Sequence, residues 1–166
     1  MLFETALAHA IARARALRRE LALLFIDLDR IAHVNHAMGM DFGDRVLAEA
    51  ALRIAQILGP QTRPTRLGAD EFVALRQVED FAAATRVAGS VIERCREPYL
   101  VDCLTIRVTA SIGIALYPSH AQNAEGLMER AERSLYRAKI AGRDCFYPGG
   151  ATCSGGTGLP PRTARG

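Results

Sequence analysis

Six consecutive apolar residues, Leu21-Ala22-Leu23-Leu24-Phe25-Ile26, run without a break into Asp27-Leu28-Asp29. A strand with one wet face alternates apolar and polar side chains, so an unbroken apolar run predicts a central strand buried on both faces. Its carboxyl end then carries acidic side chains at the edge of the core, the first place in the chain where chemistry can sit. Such a strand needs structure packed on both its faces.

The flanking patterns supply that structure. Leu2 to about Arg19 places apolar residues three and four apart and predicts an amphipathic packing or linker helix over 1–20. Ile31 to Leu58 predicts two helical pieces joined by a turn near Gly39 and Gly43, stopped by Gly59-Pro60. Thr62–Leu67 and Phe72–Arg76 predict short strands, which puts Gly68-Ala69-Asp70-Glu71 on a tight hairpin turn. Asp80–Arg96 is helical, Tyr99–Tyr117 carries β-branched strand patterns, Asn123–Ala141 is a helix stopped by Gly142, and Cys145-Phe146-Tyr147 can close as a last strand. Helices and strands alternate without internal repeat, which describes a mixed α/β domain over 21–147. From 148 to 166 the chain is rich in Gly, Ser, Thr and Pro and too poor in apolar mass to fold, so it is expected to be a flexible tail or an expression remnant.

Several function classes fall away at this point. A chain of 166 residues is about one domain. Although 49% of it is apolar, no run approaches the roughly 20 residues that cross a bilayer, and no signal segment opens it. The expectation is a soluble, cytoplasmic protein without membrane contact. Cys95, Cys103, Cys145 and Cys153 show no paired spacing and read as free thiols. The net charge of +3 is mild and its basic residues form no block interleaved with aromatics, which argues against a nucleic-acid polymer as partner. The densest basic stretch, Arg13 to Arg19, reads as a solvated helix face. His9, His33, His36 and His120 lack partner spacing and are assigned no catalysis.

What remains is a set of carboxylates. Asp27 at a strand end and Asp70-Glu71 on a turn can converge from distant positions, and hard oxygen ligands of this kind suit magnesium, which also holds phosphates. Taken singly, Asp-x-Asp and Gly-Ala-Asp-Glu are common at ordinary turns. Their order and context are more specific. The blocks Phe25-Ile26-Asp27-Leu28-Asp29, Asn35, Gly39, Gly43-Asp44, Arg66-Leu67-Gly68-Ala69-Asp70-Glu71-Phe72, Ser111-Ile112-Gly113 and Tyr136-Arg137-Ala138-Lys139-Ile140-Ala141-Gly142-Arg143 follow one another as they do in the GGDEF family, which the chain resembles from about Leu21 to Tyr147.

The resemblance implies a palm-like nucleotidyl cyclase fold, α/β (α+β), with a mostly antiparallel central sheet surrounded by helices. It implies a diguanylate cyclase in which two facing protomers, a transient twofold homodimer, each hold one GTP and join the pair into cyclic di-GMP with loss of pyrophosphate. Magnesium (or manganese) would be held by Asp27, Asp70 and the backbone carbonyl of Leu28, with Glu71 at a second metal or near the attacking hydroxyl. Asn35 and Asp44 match the guanine-reading pair, a carboxylate accepting from the ring N–H and amine that adenine lacks. Gly68 and Ala69 would let backbone N–H groups approach phosphate, and Lys139 and Arg143, four apart at the end of the last helix, would meet the triphosphate.

The sequence departs from the family pattern in three places. Ala69 puts a β-carbon where the family has its second glycine, which puts turnover in doubt. Ala32 stands where many members carry a lysine, and His36 and Met40 replace an acidic residue and a histidine. The family's inhibitory arginine and aspartate would fall at Gly59 and Thr62 and are absent, so feedback through that site is not expected and product is instead expected in the catalytic pocket. Leu116-Tyr117-Pro118 and Gly142-Arg143-Asp144-Cys145-Phe146-Tyr147 look most like GGDEF domains fused ahead of a phosphodiesterase (EAL) domain, and a missing first-helix motif points to an upstream segment with a sensor. Two readings stay open: a cyclase of weak activity, or a non-catalytic module that binds GTP or cyclic di-GMP and regulates a neighbour.

Overall fold

The computed structural model describes residues 2–60 and 62–148. In chain order the elements are α1 (Leu2–Leu17), β1 (Glu20–Leu28), α2 (Ile31–Met38), α3 (Met40–Leu58), β2 (Thr65–Arg66), β3 (Glu71–Val78), α4 (Phe81–Arg96), β4 (Tyr99–Val101), β5 (Leu104–Ile106), β6 (Ala110–Tyr117), α5 (Ala124–Ile140) and β7 (Phe146–Pro148). Five strands form one sheet in the order β2-β3-β1-β6-β7, antiparallel except for the parallel pair β6 and β7.

The apolar run of β1 lies at the centre of that sheet, with every residue from Leu21 to Leu28 buried. Alternation along the strand divides the core in two. Ala22, Leu24, Ile26 and Leu28 face Val46, Ile54, Ala88 and Ile92 of α3 and α4, while Leu21, Leu23 and Phe25 face Leu7 of α1 and Leu127 and Leu135 of α5. The helix expected over 1–20 is thus a packing helix. A Cβ at Gly113 of β6 would overlap the backbone of α5 at Ala131 and Leu135, so glycine here sets how closely that helix lies on the sheet.

Local chemistry ends the elements. At the end of α1, Arg18 adopts φ 51 and the N–H groups of Arg18 and Arg19 bond back to the carbonyls of Arg15 and Ala14, a Schellman arrangement with arginine at the position glycine usually takes. Asp80 and Asn123 cap α4 and α5 by accepting from the N–H groups of Ala83 and Gly126. The buried guanidinium of Arg53 donates to the carbonyls of Glu97 and Pro98 and lies 3.9 Å from the Tyr99 ring centroid, tying α3 to the segment after α4.

The stretch from Tyr99 to Tyr117 resolves into two units. The small hairpin of β4 and β5 turns at Asp102 and Cys103, both at positive φ, and β6 joins the main sheet. Of Thr62–Leu67 only Thr65 and Arg66 pair, whereas β3 extends to Val78. Cys95 and Cys103 are free thiols, Cys145 is buried with its Sγ 3.5 Å from the Ala138 carbonyl oxygen, and Cys153 lies outside the described residues, as do residues 149–166 of the expected tail. Pro148 is the last residue of β7. No helix among the described residues is long and apolar enough to cross a membrane.

Candidate active site

The antiparallel register brings the acidic residues together. Asp27, the penultimate residue of β1, sits opposite Glu71 of β3 on one side and Ser111 of β6 on the other. The N–H of Leu28 donates to the carbonyl of Asp70 at 3.1 Å, which fixes the turn carrying Asp70 against the end of β1. From the α5 side, the Lys139 ammonium donates to Asp27 Oδ2 at 2.7 Å.

Burial pushes the Asp27 carboxyl up to about 6, the Lys139 hydrogen bond opposes that, and the charges of Asp70 and Asp29 raise it further. A carboxylate in this position gains from a cation beside it, and Lys139 supplies one. Among the described residues no three His, Cys, Asp or Glu side chains are gathered closely enough to cage a metal. Magnesium is commonly held by one or two carboxylates together with substrate phosphates, so the donor set of Asp27 and Asp70, with Glu71 beside them, fits that cation.

The signature turn is shaped by contacts, not by unusual torsions. Neither Gly68 nor Ala69 has a positive φ. A Cβ on Gly68 would meet Glu71 Oε2 at 2.8 Å, the end of a flexible side chain that would have to shift aside. The Ala69 methyl is exposed and adopts its backbone without strain. Arg66 holds the turn from outside, donating to the carbonyls of Gly68 at 3.1 Å and Ala69 at 2.5 Å.

Asn35 on α2 and Asp44 on α3 are brought together by the turn at Gly39, where φ is 92. A Cβ on Gly43 would overlap Asn35 Oδ1, so the amide side chain lies directly against the backbone just before Asp44. Asn35 Oδ1 is buried and has no hydrogen-bond partner among the described residues, while Asp44 is exposed and 3.6 Å from Arg66. Arg66 therefore spans from Asp44 to the signature turn. Ala32, His36 and Met40 are exposed on α2 and at the start of α3.

Arg143 is placed differently from the sequence expectation. α5 ends at Ile140, and Gly142, Arg143 and Asp144 follow at φ 119, 67 and 51, so Arg143 lies in a left-handed turn beyond the helix. The turn is pinned from two sides: Arg96 grips the Asp144 carboxylate at 2.8 and 2.9 Å, and the Asp144 N–H donates to Asp29 Oδ2 at 3.1 Å. Strained residues persist only where the surroundings over-determine them. Arg143 Nε is 4.0 Å from Asp29 Oδ1.

Asp29 is the residue whose role the sequence did not disclose. Fully buried, it accepts from the hydroxyls of Thr109 at 2.6 Å and Ser111 at 2.7 Å as well as from Asp144. It joins the end of β1, the start of β6 and the Arg143 turn. Its place two residues after Asp27, next to the Ser111 block, was the available signal, but only the fold shows the three bonds. Arg66, Arg96 and Thr109 were missed for the same reason.

A helix-backed, mostly antiparallel sheet, with carboxylates from two adjacent strands meeting a helix-borne lysine at one end, defines a domain of the palm-like nucleotidyl cyclase fold. A family model described as "Diguanylate cyclase, GGDEF domain" matches residues 1–145. The chain is 40% identical over 149 residues to the bifunctional diguanylate cyclase/cyclic di-GMP phosphodiesterase MucR of Pseudomonas aeruginosa, covering 89% of this chain and 22% of that protein. It is 39% identical over 143 residues to the diguanylate cyclase TpbB of the same species, covering 85% of this chain and 33% of TpbB. The solved GGDEF domain of TpbB (YfiN) superposes with a TM-score of 0.86 at 35% identity, covering 91% of this chain and 95% of that one. The chain belongs to the GGDEF family, and it spans between a fifth and a third of the length of these two curated relatives.

Proposed function

We infer that this domain is a diguanylate cyclase. Two protomers facing each other in a transient twofold homodimer each present one GTP. The 3′-hydroxyl of each GTP forms a bond to the α-phosphorus of the other, and two pyrophosphates leave as cyclic di-GMP closes. The observation that carries this reading is Asp27, held by Lys139 at the end of the central strand pair, opposite Glu71 in the strand register and within reach of the charge of Asp70.

Asp27, Asp70, the Leu28 carbonyl and Glu71 would hold magnesium (or manganese), which when bound supplies positive charge to the triphosphate and to the developing alkoxide. Glu71, opposite Asp27 in the strand register, would complete that set. Lys139 and Arg143 hold phosphate oxygens, Lys139 by turning its ammonium from Asp27 toward the nucleotide. Backbone N–H groups at Gly68 and Ala69 approach the phosphates, with Arg66 fixing the turn. Asp44 accepts from the guanine ring N–H and amine, and the buried, unpartnered amide oxygen of Asn35 gains a donor from the same edge.

Ala69, and Ala32 in place of a lysine, argue for slow turnover. With neither an arginine at Gly59 nor an aspartate at Thr62, product competes at the catalytic pocket through Asn35, Asp44 and Arg143. In the full-length protein the domain would be a cytoplasmic module between an upstream sensor and a downstream EAL domain. The test is incubation with GTP and magnesium followed by chromatography for cyclic di-GMP, with Asp70→Ala as control. Product from the wild type that is lost in the control supports the cyclase. No product from a protein that still binds GTP would establish the regulatory, non-catalytic reading instead.

A further inference from the structure

Arg143 stands in a turn whose torsions do not favour it. Gly142, Arg143 and Asp144 follow one another at φ 119, 67 and 51, and only the glycine adopts such values without steric cost. A side chain on a run of left-handed residues keeps one direction only while other groups hold the run. The backbone here is held residue by residue. The Arg143 N–H donates to the Ala138 carbonyl at 3.1 Å, the Asp144 N–H donates to Asp29 Oδ2 at 3.1 Å, and the Cys145 carbonyl accepts from the Ile112 N–H at 2.9 Å.

A further grip comes from α4, a helix that supplies no residue assigned to metal, base or phosphate. Arg96, its last residue, engages all three guanidinium nitrogens. Nε donates to both Asp144 carboxylate oxygens at 2.8 and 2.9 Å, Nη2 to the Asp144 carbonyl at 3.2 Å, and Nη1 to Glu93 one turn back on α4. Charge-assisted bonds from a planar fork are strong and directional. Glu93 fixes the arginine on its own helix, and Ala88, Val91 and Ile92 fix that helix in the core. The side chain of Asp144 is therefore held from α4 while its N–H is held from the end of β1, which clamps the residue next to Arg143 from two elements. Arg143 Nε lies 4.0 Å from Asp29 Oδ1, at the end of β1 where Lys139 meets Asp27.

We propose that Arg96 is a positioning residue: acting through Asp144, it holds the left-handed turn that aims Arg143 at the outer phosphates of the bound nucleotide. This role rests on the cyclase reading, in which Arg143 meets the triphosphate.

The experiment is calorimetric titration of the 166-residue chain with 3′-deoxy-GTP and magnesium, an analogue that lacks the attacking hydroxyl and is not consumed. Arg96→Gln is expected to weaken its binding about tenfold, while GMP, which keeps the guanine edge and lacks the outer phosphates, binds within about twofold of wild type. A general loss of structure would lower both affinities alike. In an Arg143→Ala background, adding Arg96→Gln is expected to cost nothing further, because its effect passes through Arg143. Asp144→Asn keeps a residue type that tolerates left-handed torsions and keeps the N–H bonded to Asp29. It is expected to weaken 3′-deoxy-GTP about threefold, and it keeps the test readable if Arg96→Gln fails to fold. Arg86→Gln, exposed on α4, removes the same charge from the same helix and is expected to change neither affinity. Wild-type affinity for 3′-deoxy-GTP in Arg96→Gln, an equal loss for GMP, or losses that add in the double variant with Arg143→Ala would each overturn the proposal and leave the cyclase reading standing. Wild-type affinity in Arg143→Ala would overturn it together with the phosphate assignment on which it rests.

Discussion

Lys139 Nζ lies 2.7 Å from Asp27 Oδ2, joining the last turn of α5 to the end of β1 across 112 residues of sequence. The lysine is the counter-charge that lets a carboxylate sit buried at the end of a central strand. Because Lys139 is partly exposed, it can move away when another cation takes its place.

Replacing Asp27 with asparagine separates function from stability. Metal-dependent condensation of GTP is expected to fall by about a hundredfold or more, the loss of several kcal/mol of charge stabilisation. The folded carboxyl is raised from 3.8 to about 6, so its protonated form is favoured in the fold and its contribution is lost as pH rises through about 6. Without metal at pH 7.5, Asp27→Asn should therefore melt no lower than the wild type. A fall of several degrees would show that the Lys139 pair outweighs burial.

Gly43→Ala should act on nucleotide binding through Asn35. The added Cβ overlaps Asn35 Oδ1, so the amide must leave its position. GTP affinity measured by calorimetry is expected to drop by about tenfold, the loss of about one hydrogen bond to a buried group. Unchanged affinity would remove Asn35 from the base pocket.

Ala69→Gly should raise turnover severalfold without changing the melting temperature. The Ala69 backbone is unstrained, so glycine relieves nothing in the fold, whereas removal of the exposed methyl lets phosphate approach the turn more closely. Steady-state product formation and a thermal melt read the two effects separately.

His120 should make the fold acid-sensitive. Its Nδ1 accepts from the Leu116 N–H at 3.1 Å, and burial, followed by the charge of Arg130, holds the imidazole below its ordinary 6.5. A lowered folded value means stability is complete above about 6.5 and declines as pH falls through the folded value. Thermal melts across this range should show a flatter profile for His120→Gln, and identical profiles would exclude His120 as the source.

The central strand, the order of elements and the candidate residues were legible in the sequence because their signals are local. An apolar run of six, Gly39 and Gly59 at helix ends, and helical patterns opening at Asp80 and Asn123 each act within a few residues. Family motifs added the identities of Asp27, Asp70, Asn35 and Lys139. Three-dimensional pairing decided the rest. Strand register set Asp27 against Glu71, the approach of α5 over Gly113 delivered Lys139, and three buried bonds made Asp29 a junction. The arginines from Arg13 to Arg19 are exposed, as the helix-face reading has it, but which groups each one meets was not legible, because what a charge does depends on which other groups the fold brings within reach, and sequence spacing carries no record of those distances.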